Sequence, residues 1–191
     1  MSDGLKAVRQ IMAAAEFAAE RHAMQRRKGR TAEPYVNHLL EVAALLARTA
    51  DDLDTNLIVA GLLHDVIEDA GVTHEYLAAR FGDDVAALVA EVTDDKSLPK
   101  ETRKALQVEN AAKKSARAQA LSAADKIANM RSVAISPPAN WTLARRVEYI
   151  CWARQVVGRY NKLNGRLAAE FQQVSDQLQE WEKSGGTKDF F

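Results

Sequence analysis

Gly61-Leu62-Leu63-His64-Asp65-Val66-Ile67-Glu68-Asp69-Ala70-Gly71 lies in an apolar segment whose pattern predicts one buried helix over residues 57–70. Four ionisable side chains occupy positions where a core helix would carry leucine or alanine: His64, Asp65, Glu68 and Asp69. Burying a charged group costs several kcal/mol unless it is paired or bound to a metal. Because residues i and i+4 share a helix face, these side chains form one polar patch. The patch predicts a bound divalent metal and a reacting phosphate.

Two further ionisable residues lie in apolar patterns on other predicted helices. His38 follows Pro34 near the start of one helix, and Asp125 lies on another. Taken alone, His38 is more typical of a core histidine than of a metal ligand. Together with His64 and Asp65, however, these residues give two imidazoles and two carboxylates. That donor set favours Mn²⁺, Fe²⁺ or Zn²⁺ over Ca²⁺, which prefers oxygen ligands alone.

The rest of the chain also has a helical pattern. Glycine and proline are sparse, with nine and four residues, and no segment alternates as a strand would. We therefore expect an all-α fold. The predicted helices cover about residues 5–25, 34–49, 57–70, 73–81, 84–92, 101–115 and 121–135, and a helical region over 141–182 is interrupted near Gly158 or Gly165.

Composition narrows the function classes. The 191 residues suit one domain, and 26 basic residues balance 26 acidic ones, which argues against non-specific nucleic-acid binding. A basic cluster over residues 21–30 either lines an anionic pocket or is a solvated helix face. The single cysteine, Cys151, lies among apolar residues, is expected to be buried and favours a reducing cytoplasm. No run approaches the roughly 20 apolar residues of a membrane span, and no signal peptide is visible.

Four motifs carry a family resemblance: His22-Ala-Met-Gln-Arg-Arg-Lys28, Pro34-Tyr-Val-Asn-His38, the stretch over residues 61–69, and Ala124-Asp-Lys-Ile-Ala-Asn-Met-Arg131. Their order and spacing resemble the hydrolase domain of the RelA/SpoT homologue superfamily, within the HD-domain phosphohydrolases. The likeness covers about residues 5–160 and is strongest to the single-domain small alarmone hydrolases, including the metazoan form. These enzymes use Mn²⁺ to remove the 3′-pyrophosphate of ppGpp and pppGpp, giving GDP or GTP.

The resemblance implies a role for each matching position. His38, His64, Asp65 and Asp125 would hold the metal, and Glu68 and Asp69 would act on the attacking water and the leaving group. Arg27 would stack on the guanine base beside Lys28, and Asn129 would contact the ribose or the phosphates. The remaining substrate contacts would come from Tyr35, Lys100, Arg145 and Tyr149. For Tyr35, packing against the basic loop is an equally good interpretation.

Two departures from the family pattern are visible. Leu39 follows the first ligand where the family usually has proline, and Ala128 stands where the long enzymes have histidine. Residues 1–184 are expected to form a single HD-type helical bundle, with a core at about 5–160, a helical extension at 161–184 and a flexible tail at 185–191. The synthetase domain of the long relatives cannot fit in the residues after Tyr160.

Other functions remain open at this point. The same metal site would suit a phosphatase acting on another nucleotide, for example on the 2′-phosphate of NADPH. A regulatory module that has lost turnover is disfavoured by the presence of both Glu68 and Asp69. A purely structural bundle would leave the buried ionisable residues unexplained.

Overall fold

The computed structural model describes residues 2–187, which form an all-helical fold, as predicted. Extended pairing within these residues is limited to two isolated bridges, Arg26 with Pro34 and Gly29 with Pro138. The helices are α1 Asp3–Arg21, α2 Val36–Thr49, α3 Thr55–Leu63, α4 Val66–Ala70, α5 His74–Phe81, α6 Asp83–Val92, α7 Lys100–Asn110, α8 Ala116–Ile135, α9 Leu143–Val157 and α10 Gly165–Lys183, and a 3₁₀ turn covers Ala111–Lys113.

Helix α3 lies at the centre of the fold. All seven residues from Leu57 to Leu63 are buried, as expected for a helix that is apolar on every side. Around it pack α1, α2, α6 and α8. Asp54 begins the helix by accepting a hydrogen bond from the Leu57 N–H at 3.0 Å. Because α3 is buried along this length, the residues that follow its last turn, His64 and Asp65, lie in the interior.

The predicted continuous helix over 57–70 is wrong in one respect. The chain forms α3 and α4 with His64 and Asp65 between them, because Asp65 has φ −101° and ψ −2°, outside the usual helical values. Gly71 ends α4 in the left-handed conformation with φ 66°, as expected of a glycine cap. The break gives His64 and Asp65 directions that a regular helix would not.

Two other helix boundaries, the start of α8 and the end of α7, differ from the prediction. Helix α8 begins at Ala116, earlier than predicted, because the Ser115 hydroxyl accepts from the Ala118 N–H. The basic helix α7 ends at Asn110 and gives way to the 3₁₀ turn. The predicted interruption of the last helical region is confirmed: α9 ends at Val157 and α10 begins at Gly165.

Helix α10 shares the core of the preceding helices. Leu167, Val174, Leu178 and Trp181 belong to the same buried cluster, and α10 packs on α8 and α2. Beyond it, the Gly186 N–H donates to the Trp181 carbonyl at 3.0 Å. The last part of the predicted tail, residues 188–191, lies outside the described residues.

Cys151 is exposed, so its predicted burial is wrong. On α9 the neighbouring positions Ile150 and Ala153 face the core, which turns Cys151 outward. Within residues 2–187, every helix is too short or too polar to reach across a lipid bilayer.

Replacing Gly61 by leucine should destabilise the fold. A Cβ at Gly61 would lie 2.9 Å from Leu46 Cδ1 and 3.3 Å from the Ala43 Cα, so larger side chains overpack the α2–α3 contact. We expect a loss of about 1–3 kcal/mol in the free energy of unfolding, measured with urea. Gly4→Ala is the control, since a Cβ there meets nothing within 4 Å. Equal stability of the two variants would contradict this packing.

Candidate active site

The four predicted metal ligands meet at one point in the interior. His38 comes from α2, and His64 and Asp65 from the break after α3; one donor atom of each lies within 4.8 Å of the others. Asp125 of α8 joins them, with its Oδ1 3.2 Å from His38 Nε2 and 3.8 Å from His64 Nε2. The two histidines are 3% and 6% exposed. The cluster is therefore largely shielded from water.

The donor atoms of this cluster suit a divalent metal. His64 Nδ1 lies 2.8 Å from the Gly61 carbonyl, which can only accept, so Nδ1 carries a proton and Nε2 is the nitrogen that a metal would bind. That Nε2 is buried and forms no hydrogen bond within residues 2–187, although Asp65 Oδ2 lies 3.1 Å away. A buried imidazole nitrogen beside two carboxylates is a donor set that suits a divalent transition metal.

Both carboxylates of the cluster are ionised at neutral pH. Burial alone would raise the pKa of Asp65, but the neighbouring His64 and His38 hold that pKa well below its usual range. For Asp125, burial is likewise outweighed, chiefly by the ammonium group of Lys126, and its pKa is lowered. Lys126 Nζ lies 2.9 Å from Asp125 Oδ2. The site therefore presents anionic oxygens to a cation.

A cavity of about 540 Å³ opens beside the cluster. It brings together residues from the α1–α2 loop and from α4, α7, α8 and α9. All seven predicted substrate contacts line it, together with Glu68 and Asp69: Arg27, Lys28, Tyr35, Lys100, Asn129, Arg145 and Tyr149. A smaller cavity of about 70 Å³ is lined by His64, Asp65, Asp125 and again Glu68. Glu68 lines both cavities. It thus lies between the four predicted ligands, which we call the metal cluster, and the 540 Å³ cavity, which we call the large cavity.

The large cavity is suited to a polyanion. Arg26, Arg27 and Lys28 line it. Of the two interpretations of the basic cluster, these three residues therefore support an anion-binding pocket and not a solvated helix face. Arg21 does not belong to it and stacks over the Phe17 ring at 4.8 Å. Burial and the charge of Arg145 lower the pKa of Lys100. Crowding of positive charge of this kind is relieved when an anion binds.

The α1–α2 loop is held in a fixed shape. The Arg27 N–H donates to the Glu33 carbonyl at 2.9 Å, and the Tyr35 N–H donates to the Gln25 carbonyl at 3.1 Å. Gly29 packs against the backbone and side chain of Ser136 at the end of α8, where any Cβ would collide. These contacts fix the backbone position from which the Arg27 side chain extends into the cavity.

Hydrogen bonds connect this loop to the metal cluster. Arg27 Nη2 donates to Asn129 Oδ1 at 3.1 Å, and Asn129 Nδ2 donates to Asp125 Oδ1 at 2.5 Å. The Tyr35 hydroxyl donates to Asp65 Oδ2 at 2.7 Å, while the Arg27 guanidinium lies 5.8 Å from the Tyr35 ring centre. Tyr35 thus packs against the basic loop, as one interpretation expected, and also holds Asp65, which sequence reasoning missed.

The two predicted catalytic carboxylates have different surroundings. Both oxygens of Asp69 are occupied, one by Lys96 Nζ at 2.5 Å and the other by Gln25 Nε2 at 2.9 Å. Glu68 has only looser ion pairs, at 3.7 Å, with Lys96 and Arg103. Burial and the charge of Asp65 raise the pKa of Glu68. Glu68 is therefore better placed than Asp69 to take up a proton.

Several residues of the site were missed by sequence reasoning. Lys126 is only 6% exposed, and its ammonium lies 5.1 Å from the Trp152 ring centre. A charged residue next to Asp125 in an otherwise apolar helix is the sequence feature that could have identified Lys126 as part of the site. Gln25, Lys96 and Arg103 lie in polar segments, where nothing in the periodicity separates a site residue from a solvated one.

A family model described as an HD domain matches residues 14–154. The chain belongs to the HD-domain family. It is 43% identical over 164 residues to the guanosine-3′,5′-bis(diphosphate) 3′-pyrophosphohydrolase MESH1 of Drosophila melanogaster, covering 86% of this chain and 92% of the relative. The human protein of that name is 43% identical over 158 residues, covering 83% and 88%.

Two solved structures share the HD-domain fold of this chain. A metazoan orthologue of SpoT, described as hydrolysing ppGpp, matches with a TM-score of 0.84 and 42% identity over 88% of this chain and 95% of its own. A protein of Listeria monocytogenes matches with a TM-score of 0.62 and 30% identity, covering 78% and 97%. The family resemblance inferred from the four motifs is thus confirmed.

Removing one metal ligand should remove the bound metal. We expect His64→Ala and Asp125→Ala, purified after loading with Mn²⁺, each to lose most of the metal that the unmodified protein retains, because the remaining donors no longer surround the ion. Elemental analysis of the dialysed proteins measures this directly. His74→Ala is the control, since His74 is exposed at the start of α5. Metal retained by either site variant would exclude that residue from the ligands.

Proposed function

We propose that this protein is a metal-dependent 3′-pyrophosphohydrolase of guanosine alarmones. It converts ppGpp or pppGpp to GDP or GTP and releases pyrophosphate. The observation that carries the proposal is the joining, at Glu68, of a buried His/Asp cluster to a basic cavity large enough for a nucleotide. The names of the Drosophila and human relatives and the description of the SpoT orthologue support the same substrate.

In this proposal, His38, His64, Asp65 and Asp125 hold one Mn²⁺, with Fe²⁺ or Zn²⁺ as the alternatives. When bound, such a metal acts as a Lewis acid toward phosphate oxygens and makes water more acidic. Lys126 fixes one oxygen of Asp125, which leaves Oδ1 directed at His38. The Tyr35 hydroxyl instead donates to Asp65 Oδ2, the oxygen that lies 3.1 Å from His64 Nε2, and so fixes the side of that carboxylate that faces the histidines.

Glu68 serves as the proton acceptor in the proposed reaction. It faces both cavities and carries no close hydrogen bond from the cations beside it, so it can take a proton from the attacking water. Asp69 has a different role. Because its oxygens are already bound by Gln25 and Lys96, it holds Lys96 at the wall of the cavity, ready for the leaving pyrophosphate.

The large cavity binds the nucleotide in this scheme. The planar guanidinium of Arg27 stacks on the guanine, and Lys28, Lys100 and Arg145 contact the phosphates. Burial raises the pKa of Tyr149 to about 12, so its hydroxyl stays protonated and can donate to a ribose or phosphate oxygen. The Asn129 amide, which accepts a hydrogen bond from Arg27, contacts the ribose or the phosphates beside it.

One incubation tests the proposal directly. Purified protein with Mn²⁺ and ppGpp should yield GDP and pyrophosphate, and EDTA should abolish the reaction because the cluster has lost its ion. Products are separated by anion-exchange chromatography. A parallel reaction with NADPH tests the alternative substrate. If ppGpp stays intact but NADPH releases phosphate, the proposed substrate is wrong and NADPH takes its place. If metal-loaded protein acts on neither compound, the proposal that it is a hydrolase is refuted.

Glu68→Gln should separate chemistry from metal binding. The amide cannot accept a proton, so we expect kcat for ppGpp to fall by about 10²–10⁴-fold while the Mn²⁺ content stays that of the unmodified protein. Glu75→Gln, an exposed position on α5, is the matched control and should leave kcat unchanged. A near-normal kcat for Glu68→Gln would end its assignment as proton acceptor.

A further inference from the structure

His22 is a buried ionisable residue that the proposed reaction does not use. It follows the last residue of α1, in the first of the four family motifs, and is only 2% exposed. Its Nε2 atom is buried and forms no hydrogen bond within residues 2–187. Burying an imidazole with one nitrogen unpaired costs free energy, which its remaining contacts must offset.

One contact of His22 is polar and leads to Asp69. His22 Nδ1 lies 2.5 Å from Gln25 Oε1. Because that amide oxygen can only accept, Nδ1 carries the proton, and the contact fixes which way the Gln25 amide points. Gln25 Nε2 is then directed at Asp69 Oδ2, 2.9 Å away. We call this the polar arm of His22.

The other contact of His22 is aromatic and leads to Asp65. The imidazole stacks on the Tyr35 ring with centroids 5.2 Å apart and an interplanar angle of 30°. Tyr35 in turn meets His38 edge to face at 5.6 Å and donates its hydroxyl to Asp65 Oδ2. Removal of the His22 ring would leave Tyr35 unsupported on that side. We call this the stacking arm.

We propose that His22 is a positioning residue that sets both halves of the active site. Through Gln25 it orients the carboxylate of Asp69, and through Tyr35 it fixes the Asp65 oxygen that faces the metal. The inference rests on the proposed function, because it uses the roles given there to Asp65 and Asp69. Its particular content is that the two arms are separable: loss of the polar arm impairs turnover, and loss of the stacking arm impairs metal binding.

Two substitutions remove one arm each. His22→Phe keeps a ring against Tyr35 but has no N–H for Gln25. His22→Asn keeps a side-chain N–H near the position of Nδ1 but has no ring. Because a small displacement of a positioning group can lower turnover by up to about 100-fold, we expect His22→Phe to lower kcat for ppGpp by about 10–100-fold at saturating Mn²⁺. Its dissociation constant for Mn²⁺ should stay within about twofold of the unmodified protein.

His22→Asn should show the opposite result. Its dissociation constant for Mn²⁺, measured by isothermal titration calorimetry, should rise by about tenfold or more, while kcat at saturating Mn²⁺ stays nearly normal. Gln25→Leu should reproduce the His22→Phe loss in kcat, and the double variant should lose no more than either alone, because both changes break one chain of contacts. His74→Phe, at an exposed position, is the control and should change neither quantity.

Equal effects of His22→Phe and His22→Asn on both quantities would overturn the proposal and leave His22 with a general folding role, which thermal melting of each variant would then show. Unchanged values in both would also overturn it. Failure of the unmodified protein to hydrolyse ppGpp would instead refute the proposed function. In that case the Mn²⁺ affinities of His22→Phe and His22→Asn still test whether the stacking arm supports metal binding. Equal affinities of the two variants would refute that role.

Discussion

The burial of two imidazoles and two carboxylates in the middle of a helical core is the constraint on which the rest of this structure depends. Such groups are costly inside a protein unless each is neutralised or hydrogen-bonded. The surrounding helices provide those partners: Lys126 and Asn129 for Asp125, the Tyr35 hydroxyl for Asp65, and the Gly61 carbonyl for His64. Within residues 2–187, these contacts leave His38 Nδ1 and His64 Nε2 buried without a hydrogen bond, and His64 Nε2 faces both carboxylates, as expected at a site prepared for a cation.

The positive charge of the neighbouring cavity is arranged differently. Helix α7 has no buried residue, yet it contributes Lys100, Arg103 and Lys104 to the cavity wall. Ion pairs hold two of these cations, Arg103 with Asp94 and Lys104 with Glu148. The four predicted metal ligands are therefore enclosed in the core, whereas part of the wall of the basic cavity belongs to a helix without a buried residue. Glu68 lies where the two environments meet.

Much of this site could be predicted from sequence because charged residues in apolar helices are conspicuous. His38, His64, Asp65 and Asp125 were detected in this way, and the structure places them together. The break at Asp65 could not be predicted, since the apolar pattern continues through it. Lys96 and Gln25 escaped detection for the opposite reason: in a polar segment, a residue that holds a catalytic carboxylate has the same appearance as one that faces water.

The convergence of α2, the α3–α4 break and α8 also has a consequence for folding. The ligand positions are 26 and 60 residues apart along the chain, from 38 to 64 and from 65 to 125, so an ion bound by all of them acts as a cross-link that closes two long loops. With one cysteine, the chain has no disulfide to do this. An ion present at about 1,000 times its dissociation constant would add about 4 kcal/mol to the stability of the folded state. The supply of metal would then govern how long the protein persists as well as how fast it works.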